Sequence, residues 1–252
     1  MGFLSGAKNV VGFLTIFPVG MDSDGLRKAA EHIYLFPLVG ALLGFIAGGF
    51  GWLALQVLPP LVVGVLTLGV LEIVIGFHHM DGLLDFGDGV MASGPQSRKI
   101  DAMRDRNLGT GGLASGIIVF LTTAFSFAYL SPLFIIPALI IAETSAKFSM
   151  VVVASAGKSA RDGMNTYFVE LMHSRRGAYR LLVALVASLV VGFVFFRFIG
   201  LVTIAVGIVT ALAMVGIARR HFGGVTGDVF GATNEIARMI CILGVLVMIP
   251  WV

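Results

Sequence analysis

The sequence predicts an all-α integral membrane protein, a polytopic helical bundle of about seven transmembrane helices, and three observations support this fold class. Of the 252 residues, 58% are hydrophobic and only 12% are charged. A soluble domain typically carries about 25% charged residues, and the mean hydropathy here is +0.99. The apolar runs are long and continuous rather than alternating, which argues against a β-barrel.

Seven hydrophobic runs are each close to the roughly 20 residues that a helix needs to cross a bilayer. They cover residues 33–58, 61–79, 112–130, 133–154, 181–199, 201–218 and 236–251. The apolar segment 3–19 is interrupted by Lys8, Asn9 and Pro18. We therefore expect this segment to be amphipathic or re-entrant at the membrane surface.

The connections between these runs alternate in charge. Those at Pro59, at Ser131 and near Gly200 are short and nearly uncharged, whereas the others are long and basic. By this count 15 of the 17 Lys and Arg residues lie on one side: Lys8, Arg27, Lys28, Arg98, Lys99, Arg104, Arg106, Lys158, Arg161, Arg175, Arg176, Arg180, Arg219, Arg220 and Arg238. The positive-inside rule then places the N-terminus and the charged loops in the cytoplasm and the C-terminus outside.

Some partners and site classes are excluded at this stage. No nucleic-acid motif occurs, so the bilayer and small molecules are the expected partners. The single cysteine, Cys241, excludes an internal disulfide and a cysteine metal site.

The first charged loop contains an acidic cluster beside His79. Asp81, Asp85 and Asp88 are spaced i, i+4 and i+7, which puts all three on one face of a helix. Clustered carboxylates near hydrocarbon require a compensating positive charge. Hard cations prefer oxygen ligands, so we expect these three residues to bind Mg²⁺, with Mn²⁺ as the alternative. The competing interpretation is a solvated acidic loop.

A glycine-rich turn follows in the same loop and leads into the third run. Free backbone N–H groups at a helix start, together with Arg104 and Arg106, favour phosphate binding. We therefore take Gly109, Thr110 and Gly111 as substrate-binding candidates, although such a turn is as often only a tight connection. Beside the aspartates, it predicts a metal–diphosphate site.

The last charged loop, residues 219–235, has the same character. Asp228 and Glu235 are spaced i and i+7, and glycines allow a ligand to approach the backbone closely. The alternative is that Asp228 only caps the final helix. The substrate-binding candidates here are Gly224, Thr226, Gly227, Asp228, Asn234 and Glu235.

The remaining charges fit a structural role as well as a functional one. The basic residues of loop 155–180 fit a solvated, positive-inside face as well as a site. Within the runs, Glu143 and Lys147 are spaced i, i+4 and can pair structurally. Glu72 lies seven residues before His79 and is a candidate to support the active face.

These motifs together resemble the cobalamin synthase family, the adenosylcobinamide-GDP ribazoletransferases. The family signature His-Leu-Asp-Gly-Leu-Ala-Asp-x-x-Asp-Gly matches residues 79–89, and Met-Arg-Asp-Ser-Arg-x-Gly-Thr matches residues 103–110. A third signature, Gly-Gly-x-Thr-Gly-Asp-x-x-Gly-Ala-x-x-Glu, matches residues 223–235. Segments 13–19 and 36–40 also look familial, so the resemblance covers nearly the whole chain in order.

The sequence departs from the family pattern at three positions. Ile16 and Asn107 stand where the family has Arg, and Lys147 stands in place of the Arg of a Ser-Arg pair. Asn107 removes one positive charge near the expected diphosphate. An Arg-to-Lys change loses bidentate phosphate recognition.

The resemblance implies a single membrane-embedded catalytic domain over residues 1–252, in the inner membrane of a prokaryote. Its substrates would be adenosylcobinamide-GDP and α-ribazole or α-ribazole 5′-phosphate, and its products adenosylcobalamin or its 5′-phosphate plus GMP. This is a late step of cobalamin (vitamin B12) biosynthesis. The residues implied in catalysis are His79, Asp81, Asp85, Asp88, Arg104 and Asp105.

Two alternatives remain at this stage. A CDP-alcohol phosphotransferase also uses clustered aspartates, but its Asp-Gly-x-x-Ala-Arg core is broken here by Asp85. A cation or proton transporter would use Glu72, Asp81 and Glu143, yet its acidic groups should lie near the bilayer midplane. A homo-oligomer is compatible with the sequence.

Overall fold

The computed structural model describes residues 3–251 and confirms the all-helical fold class. Two short 3-10 segments, Ile33–Leu35 and Ile249–Trp251, accompany the α-helices. The α-helices are α1 (Phe3–Leu14), α2 (Gly25–Glu31), α3 (Phe36–Ala54), α4 (Pro60–Ile75), α5 (His78–Met91), α6 (Gln96–Ala102), α7 (Thr110–Ala128), α8 (Ile135–Ala156), α9 (Met164–Met172), α10 (Gly177–Phe222) and α11 (Gly227–Met248).

The expected number of seven spans is not confirmed. Among the described residues, five helices are long and apolar enough to cross a membrane when α10 is counted once, or six if the bent pair α4–α5 is added as one span. The final helix begins at Gly227, not at residue 236 as predicted, so the Asp228–Glu235 motif is helical rather than a loop. The sequence misled here because the charged side chains of this motif suggested a solvated connection.

The long helix α10 is broken within its span. Phe196 and Arg197 leave the helical conformation, Arg197 with a φ of 47°. Gly192 and Gly200, on either side of the break, lie so close that a Cβ on Gly200 would be 2.0 Å from the carbonyl oxygen of Gly192. The two halves therefore fold back on each other, with the turn a few residues earlier than the expected position near Gly200.

Glycines allow α3 to pack directly on the backbone of α8. Gly40, Gly44 and Gly48 follow one another at intervals of four and form one stripe. A Cβ on Gly44 would lie 2.3 Å from the carbonyl oxygen of Leu139. In a bilayer, lipid is as apolar as a side chain, so close backbone packing by small residues is a main source of helix association.

The charged segments meet at one end of the bundle. Helix α5 makes a 97° bend with α4 and packs on the first turns of α7 and α11, at Gly111 and Asp228. It therefore lies across the end of the bundle and is not one of the five helices that are long and apolar enough to cross a membrane by themselves. A bridge between Ser159 and Val225 joins the loop after α8 to the start of α11.

The α3–α8 contact yields a stability prediction with a matched control. Gly44→Ala inserts a methyl group against backbone atoms that cannot move aside, and we expect it to lower the unfolding free energy by about 1–3 kcal/mol. On the same helix, a Cβ on Gly49 would meet nothing within 4 Å, so Gly49→Ala should be neutral or slightly stabilising. Thermal unfolding of both variants in detergent measures the difference, and equal melting temperatures would contradict this packing.

Candidate active site

The centre of the site is the crossing of α5 and α11. A Cβ on Gly82 would lie 3.0 Å from the carbonyl oxygen of Asp228, and one on Gly231 would lie 3.1 Å from that of His79. These glycines bring the two helices into backbone contact. As a result, the first turn of α5 and the first turn of α11 line the same cavity.

The carboxylates at this crossing repel one another. Burial, reinforced by the nearby charges of Asp81, Asp228 and Asp88, raises the pKa of Asp85 to about 7. Asp81 is exposed on the same helix, and Asp85 is half-buried. Such a cluster favours binding of a cation, because a nearby positive charge offsets both the burial and the mutual repulsion that raise the pKa of Asp85.

Asp88 has a different role from the other two aspartates of α5. Its two carboxylate oxygens accept hydrogen bonds from the backbone N–H groups of Gly109 and Gly112, each at 2.8 Å. Asp88 thereby provides hydrogen-bond acceptors for backbone N–H groups at the N-terminal end of α7, which have no partner within the helix. The expectation that these N–H groups are free for phosphate is not met, since Asp88 already occupies them.

The other candidates of the first loop lie apart from this crossing. Arg104 and Asp105 are exposed. Asp105 accepts hydrogen bonds from the backbone and side chain of Asn107, which lower its pKa. Together with Gly109, Thr110 and Gly111, Asp105 lines a separate groove of about 260 Å³. The predicted first-loop residues are therefore divided between two cavities.

The cavity at the crossing has a volume of about 180 Å³. One side is polar and the other is aromatic. The lining residues are Phe13, Phe36, His78, His79, Asp81, Gly82, Met150, Met164, Asn165, Phe168, Gly227, Asp228, Phe230 and Gly231.

His79 and Asn165 are the buried polar residues of this cavity. Burial lowers the pKa of His79 well below the usual value, and the nearby positive charges of Lys147 and Arg238 lower it further. His79 is therefore neutral at neutral pH. Its Nδ1 has no hydrogen-bond partner among the described residues.

At the start of α11, Thr226 rather than Asp228 is the helix cap. The Thr226 hydroxyl accepts a hydrogen bond from the N–H of Val229 and donates one to Asp228 at 3.1 Å. Asp228 also lies 3.7 Å from Arg161, a basic residue of the 155–180 loop. Arg161 therefore belongs to the site rather than to a purely solvated face. Gly224 packs against the backbone of residues 158–160.

Asn234 and Glu235 do not line the cavity but belong to a buried ionic network. Asn234 accepts a hydrogen bond from Lys147 at 2.7 Å and donates one to Glu235 at 2.9 Å. Arg238 binds Glu235 in turn. The substrate-binding role predicted for Asn234 and Glu235 finds no support in their positions, because both side chains are enclosed by the bundle.

Arg238 joins three helices at the centre of this network. Its guanidinium pairs with Glu72 of α4 at 2.5 Å, with Glu143 of α8, and with Glu235 of its own helix. The side chain is fully buried, so counting Arg238 among the cytoplasmic loop charges was wrong. The expected Glu143–Lys147 pair is confirmed, with 3.4 Å between Oε2 and Nζ.

The predicted metal ligands do not form a closed metal site. Within residues 3–251, no group of three or more His, Cys, Asp or Glu side chains is arranged to hold a metal ion. Asp88 is turned toward α7 and both of its oxygens are occupied. The carboxylates that remain near one another are Asp81, Asp85 and Asp228.

Known proteins match this chain over the segments that carry the sequence motifs and build the site. The model of the cobalamin-5-phosphate synthase family matches residues 6–246. The chain belongs to this family. No solved structure matches the chain.

Curated relatives extend over nearly the full length. The chain is similar to the adenosylcobinamide-GDP ribazoletransferase of Methanococcoides burtonii, with 33% identity over 98% of this chain and 94% of the relative. The protein of that name from Methanocella arvoryzae is 35% identical over 98% of this chain and 97% of the relative. The adenosylcobinamide-GDP ribazoletransferase of Pyrococcus abyssi is 34% identical over 92% of this chain and 93% of the relative.

Several features of the site were not predicted. The Gly82–Gly231 contact, the capping role of Asp88 and the Arg238 network all depend on which helices become neighbours. The sequence held one signal for the Arg238 network. Glu235 and Arg238 are spaced i, i+3, and the glutamates within apolar runs, Glu72 and Glu143, required a cationic partner.

The network gives a second stability prediction. Arg238→Met leaves three buried carboxylates without their shared partner, and we expect a loss of about 3–5 kcal/mol of unfolding free energy. Arg219→Met, an exposed position near the end of α10, is the matched control and should change stability by less than about 0.5 kcal/mol. Thermal unfolding in detergent compares the two, and an Arg238→Met protein as stable as the control would refute the role of the network.

Proposed function

We propose that this chain transfers the adenosylcobinamide-phosphate group of adenosylcobinamide-GDP to α-ribazole or its 5′-phosphate. The product is adenosylcobalamin or its 5′-phosphate, and GMP is released. Family membership supports this activity, and the observation that carries it is the α5–α11 crossing. There Asp81, Asp85 and Asp228 gather beside the neutral His79.

The reaction requires an activated hydroxyl and a stabilised leaving group. A hydroxyl oxygen of ribazole forms a bond to the cobinamide-side phosphorus, and the bond from that phosphorus to the oxygen of the leaving GMP breaks. The hydroxyl proton passes to a base at the site. The candidates are His79, which is neutral and whose Nδ1 has no partner among residues 3–251, and Asp85, whose pKa is raised to about 7.

The residues present fit a divalent cation such as Mg²⁺. Mg²⁺ is usually held by one or two carboxylates together with substrate phosphates, so a closed protein site is not required. We propose Asp81 and Asp85 as its ligands, with Asp228 adjacent, in place of the original set that included Asp88. When bound, the cation neutralises charge on the diphosphate and the leaving phosphate. Arg161, beside Asp228, adds a further positive charge.

We also propose that the site faces the cytoplasm. The basic segments lie at the same end of the bundle as the α5–α11 crossing, and the positive-inside rule places that end in the cytoplasm. Consistent with this arrangement, the transporter alternative loses support because Glu72 and Glu143 are both paired with Arg238.

The direct test is a transfer assay with the purified, detergent-solubilised protein. Incubation with adenosylcobinamide-GDP, α-ribazole and Mg²⁺ should release GMP and form a new corrinoid in equal amounts, measured by chromatography. A chelator should stop the reaction and added Mg²⁺ should restore it, because the diphosphate requires charge neutralisation. No GMP release would contradict the function, and unchanged turnover under the chelator would contradict the metal alone.

A further inference from the structure

The cavity at the α5–α11 crossing has an aromatic wall that the proposed chemistry does not use. Four phenylalanines from four different helices form it, namely Phe13 of α1, Phe36 of α3, Phe168 of α9 and Phe230 of α11. Phosphate transfer requires charged and polar groups, so an aromatic wall beside the carboxylates indicates an additional recognition task.

Phe168 is the centre of this wall. Its ring centroid lies 5.1 Å from that of Phe13, 5.7 Å from that of Phe36 and 6.2 Å from that of Phe230. These are the distances at which aromatic rings attract one another. A planar ring entering the cavity would therefore meet an array whose faces and edges are already held in place.

The position of Phe168 is fixed by its helix. Asn165, one turn earlier on α9, donates hydrogen bonds to the Ser159 hydroxyl at 2.7 Å and to the carbonyl oxygen of Val225 at 3.0 Å. Since Val225 directly precedes the cap of α11, α9 is tied to the helix that carries Asp228. The aromatic wall and the carboxylates thus keep a constant separation.

The opposite side of the cavity is polar. Asp81 and Asp228 line this side. The side chain of His79 lies there with only 7% of its surface exposed, and its Nδ1 has no hydrogen-bond partner among residues 3–251. A buried polar atom without a partner is costly, so this cavity is suited to a ligand with both an apolar ring and polar groups.

We propose that this cavity binds the acceptor nucleoside, with its apolar heteroaromatic base against Phe168 and its sugar toward His79, Asp81 and Asp228. The inference rests on the proposed function, which supplies a nucleoside acceptor with a benzimidazole-type base. This placement puts the sugar hydroxyls beside the polar side chains that line the cavity.

The size and chemistry of the cavity favour this ligand over parts of the donor. At about 180 Å³, the cavity is suited to a bicyclic base but too small for a corrin ring, which is several times larger. Guanine carries an amino and a carbonyl group that need partners when buried, and a wall of four phenylalanines offers none. A benzimidazole has no such groups outside its ring system.

Steady-state kinetics of Phe168 variants test the assignment. Phe168→Ala should raise the KM for α-ribazole at least about tenfold, as loss of an aromatic contact together with its buried area does. The KM for adenosylcobinamide-GDP should change less than about twofold. Phe168→Leu, which keeps apolar volume but loses the ring, provides a variant that is less disruptive to folding and should raise the ribazole KM by about threefold or more.

The matched control is Phe134→Ala. Phe134 stacks on Phe196 with centroids 5.8 Å apart, at the opposite end of α8 from the cavity, and its loss should leave both KM values unchanged. Direct binding of 5,6-dimethylbenzimidazole to the solubilised protein, followed by fluorescence, gives a readout independent of turnover. Its affinity should fall in both Phe168 variants and persist in the control.

The outcomes separate this inference from the proposed function. The nucleoside assignment would be overturned if a folded, active Phe168→Leu protein kept the ribazole KM and the base affinity of the unaltered protein. It would also be overturned if the substitution raised the KM for adenosylcobinamide-GDP instead of the KM for ribazole. Absence of transfer by the unaltered protein would overturn the proposed function, whereas loss of base binding on substitution of Phe168 would still support an aromatic base site.

Discussion

The ion network of Arg238 is the constraint on which the rest of the bundle depends. One guanidinium binds glutamates from α4, α8 and α11 in a region closed to water. Lys147 contributes the second positive charge against these three carboxylates. An ionic group inside a bilayer is tolerated only when it is paired, so the helices that carry these residues can assemble in only a few ways.

This constraint also positions the site. Helix α11 carries Arg238 within the bundle and Asp228 at its first turn, ten residues or about 2.8 helical turns apart at 3.6 residues per turn. Fixing Arg238 against α4 and α8 therefore fixes the depth and rotation of Asp228. Helix α5 follows directly from α4, which carries Glu72, so the network holds both sides of the α5–α11 crossing. The positive charges of Lys147 and Arg238 also help to keep His79 neutral.

The sequence was sufficient for the fold class and for the segments that form the site. Hydropathy located most of the apolar helices to within a few residues, and the alternating charge of the connections predicted that the 80–111 and 219–235 segments lie on the same side of the membrane. It failed where tertiary neighbours decide the outcome. Asp88 has the spacing of a metal ligand, yet its partners are the N–H groups of Gly109 and Gly112. The start of α11 was misplaced because paired charges inside a bundle have the same sequence pattern as charges in a loop.

The most direct measurement of the central claim, that α5 and α11 build one active site, is a double-mutant cycle on turnover. Asp85→Asn and Asp228→Asn each remove one of the clustered carboxylates, and each should lower turnover by about a hundredfold or more. If they act as a unit, the double variant should lose little more than the worse single variant. The comparator is Asp88→Asn, which alters the cap of α7 and should combine additively with Asp228→Asn. Full additivity between Asp85 and Asp228, in proteins of unchanged thermal stability, would contradict a shared site.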